Sequence, residues 1–309
     1  MKAKPDRKKK IARSRIGVIP LERTTNHLVF ESDARHMPFL AKGSVHLVCT
    51  SPPYADLIEY PERDGQLGNV ASYELFLNEL DKVWAETLRV LVPGGRVACV
   101  VGDVCVSRRK AGRHYVLPLT SDLQVRARRL GFDVLTPIRW QKVANIKLEA
   151  SKSSRFLGKP NLPNGIVKND MESILFFRKP GGYRKPTPEM EKQSFISTDD
   201  YSKWFSTVWT DVTGQLRRGH PAPYPIEIPR RLIKMFSFAG DVVLDPFAGT
   251  GSTAVAAREV GRNSISVEIE SAYVDMILDR LEKQNSAFAQ VKAIRGHDAE
   301  PGMVLSARA

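Results

Sequence analysis

The stretch Asp245-Pro-Phe-Ala-Gly-Thr-Gly-Ser-Thr253 decides the fold. The apolar run 241–245 leading into it predicts a buried strand, and residues 252–260 predict a helix. Its glycines permit a tight turn and let a ligand approach backbone N–H groups. Glu268 ends the next predicted strand, 19 residues after Gly249, which in a doubly wound sheet places a carboxylate within reach of a ribose hydroxyl pair. This geometry predicts a nucleoside cofactor; a turn that serves only strand-to-helix packing is the alternative.

The turn differs from the loops that bind pyrophosphate. It has no third glycine in the Gly-x-Gly-x-x-Gly register, and no lysine follows it as in the Gly-x-x-x-x-Gly-Lys-Ser/Thr phosphate loop. A pyrophosphate ligand is therefore disfavoured.

A second loop, Thr50-Ser-Pro-Pro-Tyr54, follows the apolar run 44–50, at the strand end where open α/β sheets bind ligands. Its two prolines have no N–H to donate, so the carbonyls of Ser51 and Pro52 project as acceptors from a stiff loop. With the Ser51 hydroxyl they could hold an exocyclic amino group, and Tyr54 could stack on the base. For the tetrapeptide alone, an ordinary Pro-Pro turn is the commoner explanation.

The pattern of elements around these loops is that of an α/β fold with a parallel sheet and crossover helices. Apolar spacing predicts a helix from Ser72 that ends at Pro93-Gly94-Gly95, and a second helix from Leu119 to Leu130. Further strands are predicted at 97–101, 132–140 and 173–177. The segment 141–220, which contains the last of them, is expected to elaborate the sheet rather than extend it.

Composition excludes several classes of protein. The 309 residues are 42% hydrophobic and contain no apolar run of the roughly 18 residues that a membrane span needs. The three cysteines form no CxxC pair, which argues against a disulfide framework or a structural zinc site, and Cys49 and Cys99 are expected to act as small hydrophobes. A reducing cytoplasm fits these features.

The net charge of +13 is concentrated in two segments. Residues 1–15 carry a net +7 and residues 141–220 a net +6, whereas the rest of the chain is close to neutral. A neutral body with a basic arm and a basic insert is typical of a protein that binds a polyanion such as nucleic acid. Lysine-rich segments that only maintain solubility are the alternative.

Together the two loops resemble those of the amino-directed DNA methyltransferases that use S-adenosylmethionine. In that family the catalytic loop is Asp/Ser/Asn-Pro-Pro-Tyr/Phe/Trp and the cofactor loop is Asp-Pro-Phe-x-Gly-x-Gly-Thr/Ser. The catalytic loop comes first here, which resembles the β order: a Rossmann-like, circularly permuted sheet whose target-recognition region lies between its halves. The resemblance covers roughly residues 21–140 and 221–286.

The resemblance implies roles for individual residues. The implied catalytic residues are Ser51, Pro52, Pro53 and Tyr54. The implied cofactor-binding residues are Asp33, Thr50, His220, Pro221, Asp245, Pro246, Phe247, Ala248, Gly249, Thr250, Gly251, Ser252 and Glu268. Among these, Asp33 is similar to the aspartate that contacts adenine, and the segment from His220 is similar to the one that encloses the methionine end. No metal is implied.

The residue at position 51 bears on the target base. It is Ser, where β-order adenine enzymes usually carry Asp, so the resemblance favours N4 of cytosine. Both exocyclic amines are poorly basic, and N6 of adenine stays open. Methylation at ring carbon 5 of cytosine is disfavoured because it needs a Cys in a Pro-Cys loop, which the chain lacks. An RNA methyltransferase and a catalytically idle DNA-binding module are further alternatives.

The resemblance also implies an organisation and partners. The expected parts are a basic flexible arm (1–20), a catalytic part (21–140), a target-recognition insert (141–220), a cofactor-binding part (221–290) and a C-terminal tail (291–309). Double-stranded DNA is the expected partner, with phosphate contacts from Lys152, Arg155, Lys159, Arg217 and Arg218. The oligomeric state, monomer or homodimer, stays open, as does the presence of a cognate restriction endonuclease.

Overall fold

The computed structural model describes residues 24–54, 67, 70, 72–142, 166–167, 169–214, 225–283 and 289–295, and the predicted arm lies outside them. The strands are β1 Thr25–Glu31, β2 Val45–Thr50, β3 Leu91–Val101, β4 Val104–Val106, β5 Tyr115–Leu117, β6 Asp133–Gln141, β7 Met171–Arg178, β8 Val208–Trp209, β9 Val242–Asp245, β10 Asn263–Glu268 and β11 Ala289–Arg295. The helices are α1 Tyr73–Val90, α2 Arg108–Ala111, α3 Leu119–Arg129, α4 Pro188–Gln193, α5 Thr198–Trp204, α6 Glu227–Phe236, α7 Ser252–Glu259 and α8 Ser271–Lys283.

Nine of these strands form one mixed sheet in the order β11-β1-β10-β9-β2-β3-β7-β6-β8. The six strands from β11 to β3 are parallel, and β7 is antiparallel to both of its neighbours. From β9 the chain passes through α7 to β10, which lies on one side of the β9–β2 pair. From β2 it passes through α1 to β3, which lies on the opposite side of that pair. Because β9 and β2 are adjacent, a crevice for a ligand is expected at their carboxyl ends. The predicted α/β fold is confirmed.

Helices cover both faces of the sheet and supply its core. On one face α1 and α3 pack on the strands, and Trp84 of α1 meets the Phe177 ring of β7 edge-on with centroids 6.4 Å apart. On the other face, Leu232 of α6 and Ala256 of α7 pack against Leu47 and other buried residues of the central strands. Strands buried on both faces are typical of a parallel sheet between two helical layers.

Strand β7 lies inside the main sheet, so the expectation that the segment 141–220 only elaborates the sheet is wrong for this strand. Residues 173–177 are buried and pair with β3 on one side and β6 on the other. Strand β11 pairs with β1 along its whole length and crosses the expected start of the tail at residue 291. The sheet therefore includes strands from the segments that were expected to form an insert and a tail.

Strand β1 has no apolar pattern that predicts it, because two of its buried positions are polar. Thr25 and His27 are both buried, and the His27 ring hydrogen-bonds to the hydroxyls of Thr25 at 3.0 Å and Ser264 of β10 at 2.8 Å. Burial of the imidazole lowers the pKa of His27 to about 4. Three hydrogen-bonded polar side chains thus take the place of apolar contacts between these strands.

Helix α1 ends earlier than predicted. Leu91 already has extended backbone angles (φ −65°, ψ 142°), while its N–H still donates to the Thr87 carbonyl. Pro93-Gly94-Gly95 belongs to β3, where Gly94 adopts φ 76° and its N–H donates to the Lys179 carbonyl at 3.0 Å. The glycines therefore shape the start of a strand and do not end the helix.

Two further findings concern composition. Within the described part of the chain, no helix is long and apolar enough to cross a membrane. Cys49 and Cys99 are fully buried in β2 and β3, as predicted, and burial raises the pKa of both thiols.

We predict that Phe177→Ala destabilises the protein by about 3–5 kcal/mol, because it removes a buried ring between Trp84 and Phe132. Urea unfolding would measure the loss. The control is Phe195→Ala, whose ring is 60% exposed, and its effect should stay within about 0.5 kcal/mol. Equal effects of the two variants would contradict a place for β7 in the central core.

Candidate active site

The carboxyl group of Asp245 joins the two loops that the sequence singles out. Asp245 ends β9, and Thr50 ends the neighbouring β2. The Thr50 hydroxyl donates to one carboxyl oxygen at 2.6 Å, and the Thr253 hydroxyl of α7 donates to the other at 2.7 Å. The Phe247 amide donates to the same oxygen as Thr50, at 3.1 Å. One side chain therefore fixes the starts of the Ser51–Tyr54 loop, the glycine-rich loop and α7.

This carboxyl group is almost completely withdrawn from water. Asp245 is 2% exposed, and burial raises its pKa from 3.8 to about 6, although its hydrogen bonds from Thr50, Thr253 and Phe247 act in the opposite direction. Desolvation of the charged form outweighs the three donors. The group thus acts as a structural acceptor that is costly to ionise.

The glycine-rich turn brings its backbone close to a neighbouring helix. Gly251 has φ 82°, and a Cβ atom at this position would lie 3.0 Å from the Ile277 side chain of α8. Only glycine combines that backbone conformation with so close an approach. The Ala248 amide donates to the Val267 carbonyl of β10 at 3.1 Å, which fixes the turn against the next strand.

Glu268 ends β10, beside β9, and its carboxylate faces the turn. One oxygen accepts from the Gly249 amide at 2.7 Å, and the other accepts from the amides of Ile269 and Glu270, each at 3.0 Å. Burial, with a contribution from the charge on Asp245, raises the pKa of Glu268 from 4.5 to about 7, against its three backbone donors. No Lys or Arg among the described residues forms an ion pair with it, so it is a carboxylate with capacity for additional donors.

Asp33 lies two residues beyond β1, whose last residue Glu31 is paired with Glu268 in the sheet. Both of its carboxyl oxygens accept hydrogen bonds from the Arg35 guanidinium, which also contacts Glu79 of α1 at 2.5 Å. The structure therefore brings Asp33 to the same sheet edge as Glu268 and pairs it with a cation.

Residues Ser51 to Tyr54, which the sequence predicts to be catalytic, continue directly from β2. The Tyr54 hydroxyl oxygen accepts a hydrogen bond from the Gly102 amide, just beyond β3, at 3.1 Å. A Cβ atom on Gly102 would lie 3.3 Å from the Glu172 side chain and 3.7 Å from the Tyr54 hydroxyl. The tyrosine ring is thus anchored between the ends of two neighbouring strands.

Two contacts at the site involve residues that the sequence did not single out for a role. Thr253 closes the glycine-rich motif, and its position as the last polar residue there is the signal that could have found it. Arg280 of α8 donates to the carbonyl of Thr250 at 2.6 Å, and no motif marks it because it lies 30 residues away. It anchors the outer side of the turn.

Seven of the residues implied by sequence lie outside the part of the chain that the structure describes. They are Lys152, Arg155, Lys159, Arg217, Arg218, His220 and Pro221.

The two loops follow the adjacent strands β2 and β9, and the acidic Glu268 ends the next strand, β10. Comparison with known proteins assigns the chain to a family. A DNA methylase family model, covering the N6 and N4 enzymes, matches residues 45–279. The chain belongs to this family of DNA methylases. The match includes both loops and the segment between them.

Individual relatives cover most of the chain. The Type II methyltransferase M.MjaI of Methanocaldococcus jannaschii is 37% identical over 85% of this chain and 94% of its own length. M.MthZI of Methanothermobacter thermautotrophicus is 36% identical over 84% and 77%. Among solved structures, a protein of Thermus thermophilus described as a putative DNA modification methylase, complexed with S-adenosyl-L-methionine, is 44% identical, with a TM-score of 0.73 over 87% of this chain and 98% of that one.

We predict that Thr50→Val lowers the free energy of unfolding by about 1–3 kcal/mol, because it leaves a buried carboxyl oxygen of Asp245 short of a donor. Thr87→Val is the matched control: Thr87 is also fully buried, and its hydroxyl has no hydrogen-bond partner among the residues that the structure describes. That variant should be neutral or slightly stabilising. Chemical denaturation of both variants provides the measurement, and equal losses would contradict the role of the Thr50 hydroxyl.

We also predict a pH-dependent contribution from Glu268. Its pKa is about 7 in the folded chain and close to 4.5 when unfolded, so between these values the folded state holds the extra proton and stability falls as pH rises. The slope is about 1.4 kcal/mol per pH unit for one proton.

The test compares wild type with Glu268→Gln, which does not titrate. Burial of His27 gives an opposing slope over part of this range, so the difference between the two stability curves is the quantity to measure. Wild type should lose stability relative to the variant from pH 4.5 to pH 7. A difference that is constant with pH would contradict the raised pKa.

Proposed function

We propose that the protein is a site-specific DNA methyltransferase that transfers a methyl group from S-adenosylmethionine to the exocyclic amino group of a flipped base, N4 of cytosine. The observation that carries the proposal is the hydrogen bond from the Thr50 hydroxyl to the Asp245 carboxyl group. It holds the Ser51–Tyr54 loop and the glycine-rich loop side by side at the carboxyl ends of β2 and β9. Donor and acceptor of a methyl group need this proximity.

The residues around the turn fit the cofactor. Glu268 is a buried carboxylate held by backbone donors alone, which suits it to accept hydrogen bonds from the two ribose hydroxyls. The backbone at Phe247, Ala248 and Gly249 would hold the methionine portion, which His220 and Pro221 help to enclose. Asp33 would contact the adenine, and this requires its pairing with Arg35 to leave an acceptor facing the ligand.

When bound, S-adenosylmethionine supplies an electrophilic methyl group on its sulfonium sulfur. The Ser51 hydroxyl and the Pro52 carbonyl accept hydrogen bonds from the amino group, so that the nitrogen lone pair faces that methyl. The new N–C bond forms as the S–C bond breaks, and the nitrogen releases one proton to water. Tyr54, anchored through its hydroxyl to Gly102, stacks on the flipped base.

The choice of base rests on Ser51, in place of the aspartate usual in β-order adenine enzymes. A circularly permuted sheet is supported by the chain order, in which β2 with the catalytic loop precedes the adjacent β9 with the cofactor loop. The segment 141–220 is proposed as the target-recognition region, and its basic residues Lys152, Arg155, Lys159, Arg217 and Arg218 as phosphate contacts. A paired restriction endonuclease is part of the same proposal, as Type II relatives suggest.

The product of the reaction tests the proposal. Unmethylated genomic DNA is incubated with the protein and S-adenosylmethionine, digested to nucleosides and analysed by mass spectrometry. A 4-methylcytosine peak is the expected result. A 6-methyladenine peak would overturn the choice of base and keep the class of enzyme. Methylated RNA, or no product despite cofactor binding, would overturn DNA methylation in favour of an RNA enzyme or an idle module.

We predict that Ser51→Ala lowers turnover about a hundredfold or more and leaves the affinity for S-adenosylmethionine nearly unchanged, because the lost hydroxyl contacts only the target base. Single-turnover rates and calorimetric cofactor binding measure the two effects separately. Ser202→Ala, on the exposed surface of α5, serves as the control. Equal losses of turnover and cofactor affinity would contradict the role of Ser51.

A further inference from the structure

A small hairpin formed by β4 and β5 carries a concentrated positive charge. Its tip, residues 107–114, contains Arg108, Arg109, Lys110 and Arg113, and the sequence has no acidic residue from 104 to 121. We call residues 107–114 the basic tip. Nothing in the overall charge distribution points to it, since it lies in the near-neutral part of the chain.

The base of the hairpin is fixed next to the catalytic loop. The Gly102 amide donates to the Tyr54 hydroxyl oxygen, and the hairpin begins two residues later. Asp103 accepts from the amide and the hydroxyl of Thr120 at 2.9 and 2.7 Å, which closes the base of the hairpin. Val104 is buried in the main core. Three strand residues span about 10 Å, so the basic tip lies within roughly that distance of the base of the hairpin.

The basic tip is an ordered structure. The Ser107 hydroxyl accepts from the Lys110 amide at 3.3 Å and caps the single turn of α2. Gly112, at φ 73°, ends that turn with its amide bonded to the Arg108 carbonyl at 2.8 Å. The Arg113 guanidinium lies over the Tyr115 ring, 5.1 Å from its centre. The cations are therefore held on a defined scaffold.

Arginines of the basic tip differ from a group of other described arginines that are held in ion pairs. Arg35, Arg89 and Arg126 each pair with carboxylates, as do Arg178, Arg184 and Arg231, and Arg89 does so within its own helix. Arg108, Arg109 and Arg113 are not buried, and none forms an ion pair with an acidic residue of the described chain. Such cations can bind an anion without first breaking an internal pair.

We propose that the basic tip binds backbone phosphates of the DNA duplex beside the target base. This inference rests on the proposed function, because it requires a duplex whose flipped base occupies the Ser51–Tyr54 loop. Phosphates lie next to any base that leaves the stack, and arginine binds phosphate oxygens through its planar fork of donors. The hairpin that carries the tip follows the end of β3, beside the Ser51–Tyr54 loop. Its phosphate contacts would bind the duplex irrespective of sequence.

The test compares two double variants with the same change of charge. Arg108→Gln/Arg109→Gln removes two cations of the basic tip. Arg128→Gln/Arg129→Gln removes two arginines from the last turn of α3, which runs from Leu119 back to the opposite edge of the sheet before β6 begins. The full-length chain is used throughout, and the probe is a fluorescein-labelled, mixed-sequence DNA duplex titrated at several KCl concentrations.

For the tip variant we expect the slope of log K against log[KCl] to become shallower by about 1.8, since each phosphate contact contributes roughly 0.9. The control variant should keep the wild-type slope. In steady-state assays the tip variant should raise KM for DNA and keep kcat at saturating DNA. Melting temperature and affinity for S-adenosylmethionine should match wild type in both variants.

Other outcomes separate this inference from the proposed function. A wild-type slope in the tip variant, or an equal reduction in both variants, would overturn the phosphate contact while DNA methylation by wild type stands. Wild type that neither binds the duplex nor methylates DNA would overturn both. Binding of an RNA hairpin through the basic tip, without binding of the duplex, would overturn the assignment of DNA as the partner.

Discussion

The Asp245 carboxyl group accepts hydrogen bonds from Thr50, Thr253 and the Phe247 amide inside the protein, and the relative position of the two loops depends on it. Sheet pairing alone sets only the distance between β2 and β9, which are paired at just two residue positions. The chain beyond each strand is free to turn either way. The shared carboxyl group removes this freedom, because Thr50 before one loop and Phe247 in the other both donate hydrogen bonds to it.

This arrangement places two carboxyl groups with raised pKa values at one edge of the sheet, and each has a different consequence. Asp245 has its oxygens engaged by protein donors, so its cost of burial is offset within the fold. Glu268 is held only by backbone amides, and the charge on Asp245 adds to its raised pKa. A ligand that donates hydrogen bonds would favour its charged form and lower that pKa. If Glu268 accepts the ribose hydroxyls as proposed, cofactor binding is coupled to deprotonation of Glu268.

The sequence predicted the parts of the fold in which local pattern and chemistry agree. The strand, turn and helix around Gly249 and Gly251 need glycine geometry and apolar flanks, and the structure confirms them. Strand β1 could not be predicted, because its buried His27 is stabilised by Ser264, more than 200 residues away. Membership of β7 in the sheet depends on long-range pairing with β3, which no local window contains.

Pairing between distant residues also explains why the distribution of charge along the chain does not reveal the basic tip. Residues 16–140 have almost equal numbers of acidic and basic residues. The basic residues nevertheless include both arginines that form ion pairs and the arginines of the tip, which form none in the described chain. Arg35, Arg89 and Arg126 are neutralised by carboxylates that folding brings to them. Their pairs use up acidic residues of the segment, and the arginines of the tip are left without such partners in the described chain. A locally positive surface can therefore arise from a neutral sequence, and only the three-dimensional pairing reveals it beside the catalytic loop.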